Sequence, residues 1–321
     1  MTPLKDLTCP RVLVLDPVHD DALERLRSIY DVRVRLRPPQ EEVIDLASDV
    51  DAIIVRSGVR LPAEVFTRNP RLRVVARAGS GVDNIDVEAA RAAGVQVFNV
   101  PGGSAGAVAE LAVGLLLAVM RRISVADRQL RKGVWNKTAF EGDELAGKTL
   151  GLIGFGNIGS RIARITSGFT PHVLTAVANP SEARRIELAD RGVHLVDLPT
   201  LLADSDAICV VVPLTAQTRG LIGAKELAAM RPGAYLVNVS RGEVVDELAL
   251  VSALRDGVIA GAGLDVHNAE GSSSPFADLD NVLLTPHIGA MSADAQRAIG
   301  EIVVDSLTAA LAGEDAANRV C

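Results

Sequence analysis

A chain of 321 residues exceeds the usual size of one hydrophobic core, so two domains are expected. Its 48% hydrophobic content excludes global disorder. A formal net charge of −7 argues against a nucleic-acid surface, and anionic ligands would need local basic pockets. Cys9, Cys209 and Cys321 lie far apart with no C-x-x-C pair, which argues against disulfides or a zinc site and suits a reducing cytoplasm.

The opening "MTPLKDLTCPRVLVLD" lacks the apolar core of a signal peptide. Strands are expected at 11–16, 32–36, 51–56, 73–77 and 95–98, with helices between them at 21–29, 40–47, 62–69 and 86–93. Such alternation builds a parallel sheet covered on both faces. "NVPGGSAGAV" breaks the pattern, and an apolar helix over about 104–122 follows, closed by Arg121 and Arg122. Its most apolar part, 105–120, is short for a membrane span and carries Glu110, so it reads as a buried helix. A second series places strands at 149–153, 172–178, 193–196, 206–212, 234–239, 260–265 and 281–285, before a closing helix over 292–312. One α/β domain thus starts, hands over near Gly102 to a complete dinucleotide-binding domain, and resumes near His287.

"LIGFGNIG" (152–159) follows the apolar strand "TLGLI" and opens a helix over 157–168. Gly154 would make the tight turn, Gly156 would admit a pyrophosphate against the backbone, and Gly159 would allow close helix–strand packing. The acidic residue expected about twenty positions later falls on Asn179. Asn keeps hydrogen bonds to an adenine ribose but removes the repulsion a carboxylate exerts on a 2′-phosphate. Ser181, Arg184 and Arg185 follow as donors and positive charge, so acceptance of NADP(H), alone or beside NAD(H), is expected. A solvated helix face is the competing reading of these arginines.

Three strand ends carry further chemical groups. "YLVNVSRGEVVDE" places Arg241 after a strand, "AGAGLDVHNAEG" places Asp265 at a strand end with Glu270 beyond it, and "NVLLTPHIGA" supplies His287. Reduction of a 2-oxo acid needs a cation for carboxylate and carbonyl, and an acid for the new alkoxide. Arg241 suits the first role and His287 the second, with Glu270 favouring the imidazolium. A structural salt bridge for the arginine and an ordinary structural histidine are the plain alternatives. His19, His172, His194 and His267 show no metal-ligand spacing, so no metal site is expected.

Together "VARAGSGVDNID", "NVPGGSAGAVAELAVGLLLA", "LAGKTLGLIGFGNIGSRIA", "VVPLTAQTRGLIG", "LVNVSRGEVVDELAL", "AGAGLDVHNAE" and "LLTPHIGAMSADAQ" resemble the D-isomer-specific 2-hydroxyacid dehydrogenase family, most of all its D-3-phosphoglycerate dehydrogenase group. The likeness runs over nearly the whole chain, in order and spacing. It implies two doubly wound α/β domains, a Rossmann-type cofactor domain (104–287) inserted in a flavodoxin-like substrate domain (1–103 and 288–321), with a cleft that closes on ligand. It also implies a homodimer formed largely through the cofactor domains, while composition and charge point to the cytoplasm with no nucleic-acid or membrane partner. Arg241, Glu270 and His287 fall on the family's catalytic positions. Ser80, Asn157, Ile158, Asn179, Val212, Val239, Ser240, Asp265, Gly289 and Ala290 fall on its cofactor contacts, Asp265 near the nicotinamide amide.

The implied substrate is a small 2-oxo or 2-hydroxy acid, its carboxylate on the Ser80–Gly81 turn. In the phosphoglycerate group, positions such as Arg56 and Arg77 help hold a phosphate, with Arg60 as a third candidate. Ordinary surface arginines are the alternative there. The expected substrate is thus 3-phosphohydroxypyruvate or phosphonopyruvate, against glyoxylate and hydroxypyruvate as rivals. A second class, NAD(H)-sensing corepressors, shares this fold. The sequence departs from the pattern at Asn179, at Val211 where the group often has His, and in the polar loop "HNAEGSSSPF". It also ends soon after the closing helix, so a C-terminal regulatory domain and serine feedback are not expected.

Overall fold

A computed structural model of the chain describes residues 9–268, 270–271 and 273–321. The chain divides into two compact units: one runs to Ser104 and takes up again over Ala290–Cys321, the other is Ala105–Gly289.

The first unit holds five parallel strands, β1 (Arg11–Val14), β2 (Asp31–Val34), β3 (Ala52–Val55), β4 (Val74–Arg77) and β5 (Gln96–Phe98). Their order is β2-β1-β3-β4-β5, the flavodoxin-like arrangement whose switch point lies between β1 and β3. β3 and β4 are buried at every position, as expected of continuous apolar runs covered on both faces. β2 sits at the edge and alternates towards solvent. One face packs on helices Asp20–Ile29 and Ala293–Ala312, joining Val12, Val14, Ile54 and Ala76 to Leu26, Ile299, Val303 and Leu307. The other face joins Leu13, Ile53, Val55 and Val75 to Val43, Val65, Phe66 and Ala90 on short helices. The C-terminal helix therefore belongs to the sheet at the chain's beginning.

The second unit holds seven parallel strands: β6 (Leu150–Ile153), β7 (Val173–Ala176), β8 (Val193–Leu195), β9 (Ala207–Val210), β10 (Tyr235–Asn238), β11 (Gly261–Leu264) and β12 (Val282–Leu284). Their order, β12-β11-β10-β9-β6-β7-β8, is the Rossmann succession extended by one strand, and the direction of winding reverses between β6 and β9. Helix Ala105–Met120 lies in this core, with Leu115, Leu116 and Met120 buried beside Leu150, Leu152 and Val237. Among the described residues no helix is long and apolar enough to cross a membrane. The helix stops two residues before the expected end. Arg122 then adopts a left-handed φ of 53°, and a further helix, Ile123–Arg131, begins where the sequence reading placed none.

Candidate active site

In the second unit, Gly154 turns the chain out of β6 with φ +100°. A Cβ there would meet Val211 O and Val212 Cγ1 at 3.0 Å, so a side chain is excluded both sterically and conformationally. A Cβ on Gly159 would stand 2.6 Å from Gly154 O, while one on Gly156 would meet no atom within 4 Å. The glycines thus close the turn, bring the helix hard against it, and leave one open flank at the N-terminus of helix Asn157–Thr166. This cradle fits a pyrophosphate, whose charge the helix N-terminus and Asn157 and Ile158 amides would meet.

Asn179 is exposed beyond β7, and Ser181 caps helix Glu182–Ala189 by accepting from Arg184 N at 3.2 Å. Arg184 reaches back to the cradle, donating from Nη2 to Phe155 O at 2.8 Å and from Nη1 to Glu187 at 2.6 Å. Arg185 is directed elsewhere, to Leu195 O at 2.8 Å. The structure therefore places one of the two arginines beside the glycine loop.

The reactive groups cluster beyond β10, β11 and β12. Asn238, buried at the end of β10, accepts from Ser240 N at 3.0 Å and Ser240 Oγ at 2.7 Å, and donates to Arg241 O at 2.9 Å. This fixes the turn that carries Arg241, whose Nη1 also donates to Ser240 O at 2.8 Å. Gly242 backs directly onto the main chain of His267 and Asn268, an approach any Cβ would block. That closeness brings Arg241 within electrostatic range of Glu270.

His287 adopts a left-handed φ of 54°. Its N–H donates to Asp265 O at 2.9 Å, and its Nδ1 pairs with Glu270 Oε1 at 2.8 Å. The hydrogen bond from His287 holds the Glu270 carboxyl below its usual range. Partial burial opposes this, and the charges of His287, His267 and Arg241 add to it. Sequence reasoning left His267 out of the site; here its Nε2 meets Thr285 O at 3.1 Å, and its charge acts on Glu270.

Asp265, 1% exposed, does more than cap a strand. Its Oδ1 accepts from Thr285 Oγ1 at 2.6 Å and Ile288 N at 2.8 Å, and its Oδ2 accepts from Gly289 N at 2.8 Å. The carboxylate thus holds the whole segment around His287.

The remaining residues belong to the first unit. Beyond β4, Ser80 Oγ donates to Val100 O at 3.0 Å, Asn99 Nδ2 donates to Ser80 O at 2.7 Å, and Val100 N donates to Gly79 O at 2.9 Å. Among the described residues none accepts from the N–H of Ser80 or Gly81, which leaves these amides as an anion nest. Arg77 is 7% exposed, its guanidinium folded against Gly79 under that nest. Arg56 donates to Gln296 Oε1 at 2.9 Å and Met291 Sδ at 3.3 Å. Burial pulls its guanidinium below the ordinary value, Asp16 opposes this, and Arg37 adds to it. Arg37, which the sequence reading missed, stands 3.6 Å from Asp16 Oδ1. Arg60 instead lines a separate hollow of about 430 Å³ with Gln40, Asp83 and Asp86. Ala290 O accepts from Gln296 Nε2 at 2.7 Å.

Comparison with known proteins gives a consistent picture. The family profile "D-isomer specific 2-hydroxyacid dehydrogenase, NAD binding domain" matches residues 113–289. The chain is 41% identical over 318 residues to D-3-phosphoglycerate dehydrogenase of Methanocaldococcus jannaschii, spanning 97% of this chain but 59% of that protein's length. It is 40% identical over 302 residues to hydroxypyruvate reductase of Thermotoga maritima, covering 92% and 97% of the two chains. The crystal structure of an NADPH-dependent glyoxylate/hydroxypyruvate reductase from Sinorhizobium meliloti, with NADP and malonate, superposes with a TM-score of 0.87 at 35% identity. It covers 98% of this chain and 97% of that one.

Proposed function

The chain belongs to the D-isomer specific 2-hydroxyacid dehydrogenase family, and on that premise we propose that it interconverts a D-2-hydroxy acid and its 2-oxo acid. The observation that carries this reading is the His287–Glu270 pair at 2.8 Å, with the Arg241 charge acting on the same carboxylate. When bound, the nicotinamide dinucleotide supplies or accepts the hydride.

Arg241 orients the substrate and polarises its carbonyl, since a guanidinium stays charged and donates in a planar fork. His287 gives its Nε2 proton to the nascent alkoxide during reduction and takes it back during oxidation. Glu270 keeps Nδ1 paired at 2.8 Å, which leaves Nε2 as the nitrogen for the proton transfer. The Ser80–Gly81 amides take the substrate carboxylate, with Arg77 adding positive charge from below.

For the far end of the substrate, Arg56 with Arg37 beside it forms a site for a phosphate or phosphonate. This favours 3-phosphohydroxypyruvate or phosphonopyruvate over glyoxylate and hydroxypyruvate, although the relatives include reductases named for the latter two. Arg184 beside the glycine loop, with a neutral residue at 179, supports use of NADP(H). A corepressor that only senses NAD(H) would show negligible turnover, and the paired proton donor argues against it.

The deciding experiment is steady-state reduction of these four 2-oxo acids with NADH and NADPH, for the wild-type protein and Arg56→Ala. A phosphate-bearing substrate should lose at least tenfold more kcat/KM than glyoxylate in Arg56→Ala, about the value of one charge-assisted contact. Equal losses would remove the distal-anion assignment. No turnover of any 2-oxo acid would remove the enzyme reading.

A further inference from the structure

Two parts of the first unit that carry anion-binding groups are locked together by one side chain. The loop that forms the Ser80–Gly81 nest continues to Asn84, whose Nδ2 donates to Arg56 O at 2.7 Å and to Val59 O at 2.6 Å. Asp16 grips the same turn from the opposite side, its Oδ2 accepting Arg56 N–H at 2.7 Å. Main-chain bonds from Leu61 N to Asn84 O and from Asp86 N to Leu61 O, each 2.9 Å, extend the clamp. Arg56 is therefore held at both its N–H and its carbonyl, and the carbonyl partner comes from the nest's own loop.

We propose that Asn84 is a positioning residue that sets the separation between the carboxylate nest and the Arg56 guanidinium. It thereby selects 2-oxo acids by the length between their two anionic ends. The proposal rests on the reading above that the nest takes a carboxylate and Arg56 takes a distal phosphate or phosphonate.

The chemistry of the side chain supports a donor role. A carboxamide offers two N–H donors, and here its nitrogen serves two carbonyls of one tight turn. Its Oδ1 is buried and, among the described residues, has no hydrogen-bond partner. The group is thus placed for its donors at the expense of its acceptor. A carboxylate of the same shape would face the Arg56 and Val59 carbonyls with oxygen on oxygen. A shift of the nest relative to Arg56 would leave a long dianion poorly matched at one end, whereas a substrate without a second anion has no such demand.

The test uses the full chain with Asn84→Ala, assayed with 3-phosphohydroxypyruvate, phosphonopyruvate and glyoxylate, and with melting temperature measured alongside. The KM for 3-phosphohydroxypyruvate should rise about tenfold more than that for glyoxylate, and the preference between the two phosphorus-bearing acids should shrink. Uniform loss on all three substrates, or unchanged ratios, would overturn the proposal, because a merely structural side chain moves the melting temperature without sorting substrates by length. If Asn84→Ala does not fold, Asn84→Ser retains one donor and should give an intermediate shift in the same ratio; an unchanged ratio there also overturns it. Arg56→Ala separates the two readings. If Arg56→Ala shifts the ratio and the Asn84 variants do not, the Asn84 assignment alone fails. If Arg56→Ala leaves the ratio unmoved, the distal-anion reading fails first.

Discussion

Asp265 underlies His287: its carbonyl accepts the His287 N–H at 2.9 Å, and its carboxylate accepts the next two backbone N–H groups at 2.8 Å each. A histidine at φ 54° persists only where surrounding bonds over-determine it. Without the carboxylate, the Ile288 and Gly289 amides and the Thr285 hydroxyl lose their acceptor, and the segment can relax from its left-handed turn. Asp265→Ala should therefore lower kcat about a hundredfold, the effect of losing one to two charged hydrogen bonds at a reacting group. Asp265→Asn, which keeps one acceptor oxygen, should lose less. Steady-state kinetics with circular dichroism as a folding control check this; equal kcat in wild type and Asp265→Ala would remove the positioning role.

The depressed Glu270 carboxyl sets an expectation for pH. A carboxyl whose folded value lies below its unfolded one contributes fully above the unfolded value, and the contribution is lost as pH falls through the folded value. Glu270 therefore stays ionised to lower pH than an unpaired glutamate would, and the His287 pair should persist with it. In the reductive direction the wild-type rate should hold to lower pH than an unpaired glutamate would allow, and fall only as Glu270 takes up its proton. Glu270→Gln should show a lower plateau without that acidic limb. Rate profiles carried to pH values below the ordinary carboxylate range compare the two, and superimposable acidic limbs would show that Glu270 is not the titrating group.

Cofactor choice is testable at Asn179. Placing a carboxylate there restores repulsion against a 2′-phosphate while leaving ribose hydroxyls a partner. Asn179→Asp should cut kcat/KM for NADPH by about ten- to a hundredfold, the range of one charged hydrogen bond, with a smaller effect on NADH. Arg184→Ala should act in the same direction by removing the guanidinium that donates to Phe155 O at 2.8 Å. Parallel losses with both cofactors in the two variants would mean that these residues support the loop and do not read the phosphate.

The strand pattern is legible because both sheets are parallel and covered on both faces, so β3 (AIIV) and β9 (AICV) appear as unbroken apolar runs. The glycine cradle is legible for a related reason, since its steric demands are local, falling on Gly154, Gly156 and Gly159 in one turn and the start of the helix it opens. Long-range hydrogen bonding is not encoded in any window. Asp265 reads as a strand-end residue because its partners, Thr285 to Gly289, arrive twenty and more positions later. Similarly, "IIVRSGVR" offers Arg56 and Arg60 as neighbours, but the turn held by Asn84 sends Arg60 to Gln40 and leaves Arg56 with Arg37. Helix Ile123–Arg131 is hidden by Arg121 and Arg122, which resemble a helix end and are one; only the left-handed φ at Arg122 starts the next helix at once.

That helix bears on assembly. Ile123 and Leu130 are exposed along it, and Val134 and Trp135 are exposed just beyond its end, Trp135 at 84%. The only tryptophan of the chain is thus strongly exposed, close in sequence to three exposed aliphatic residues. The homodimer that the resemblance implies, formed largely through the cofactor domains, can be tested at these residues. Trp135→Glu replaces this large apolar side chain with a charge. The wild type should sediment as a dimer at micromolar concentration and Trp135→Glu as a folded monomer. A wild-type monomer, or a variant whose dimer is undiminished, would show that this face is covered by something other than its own copy.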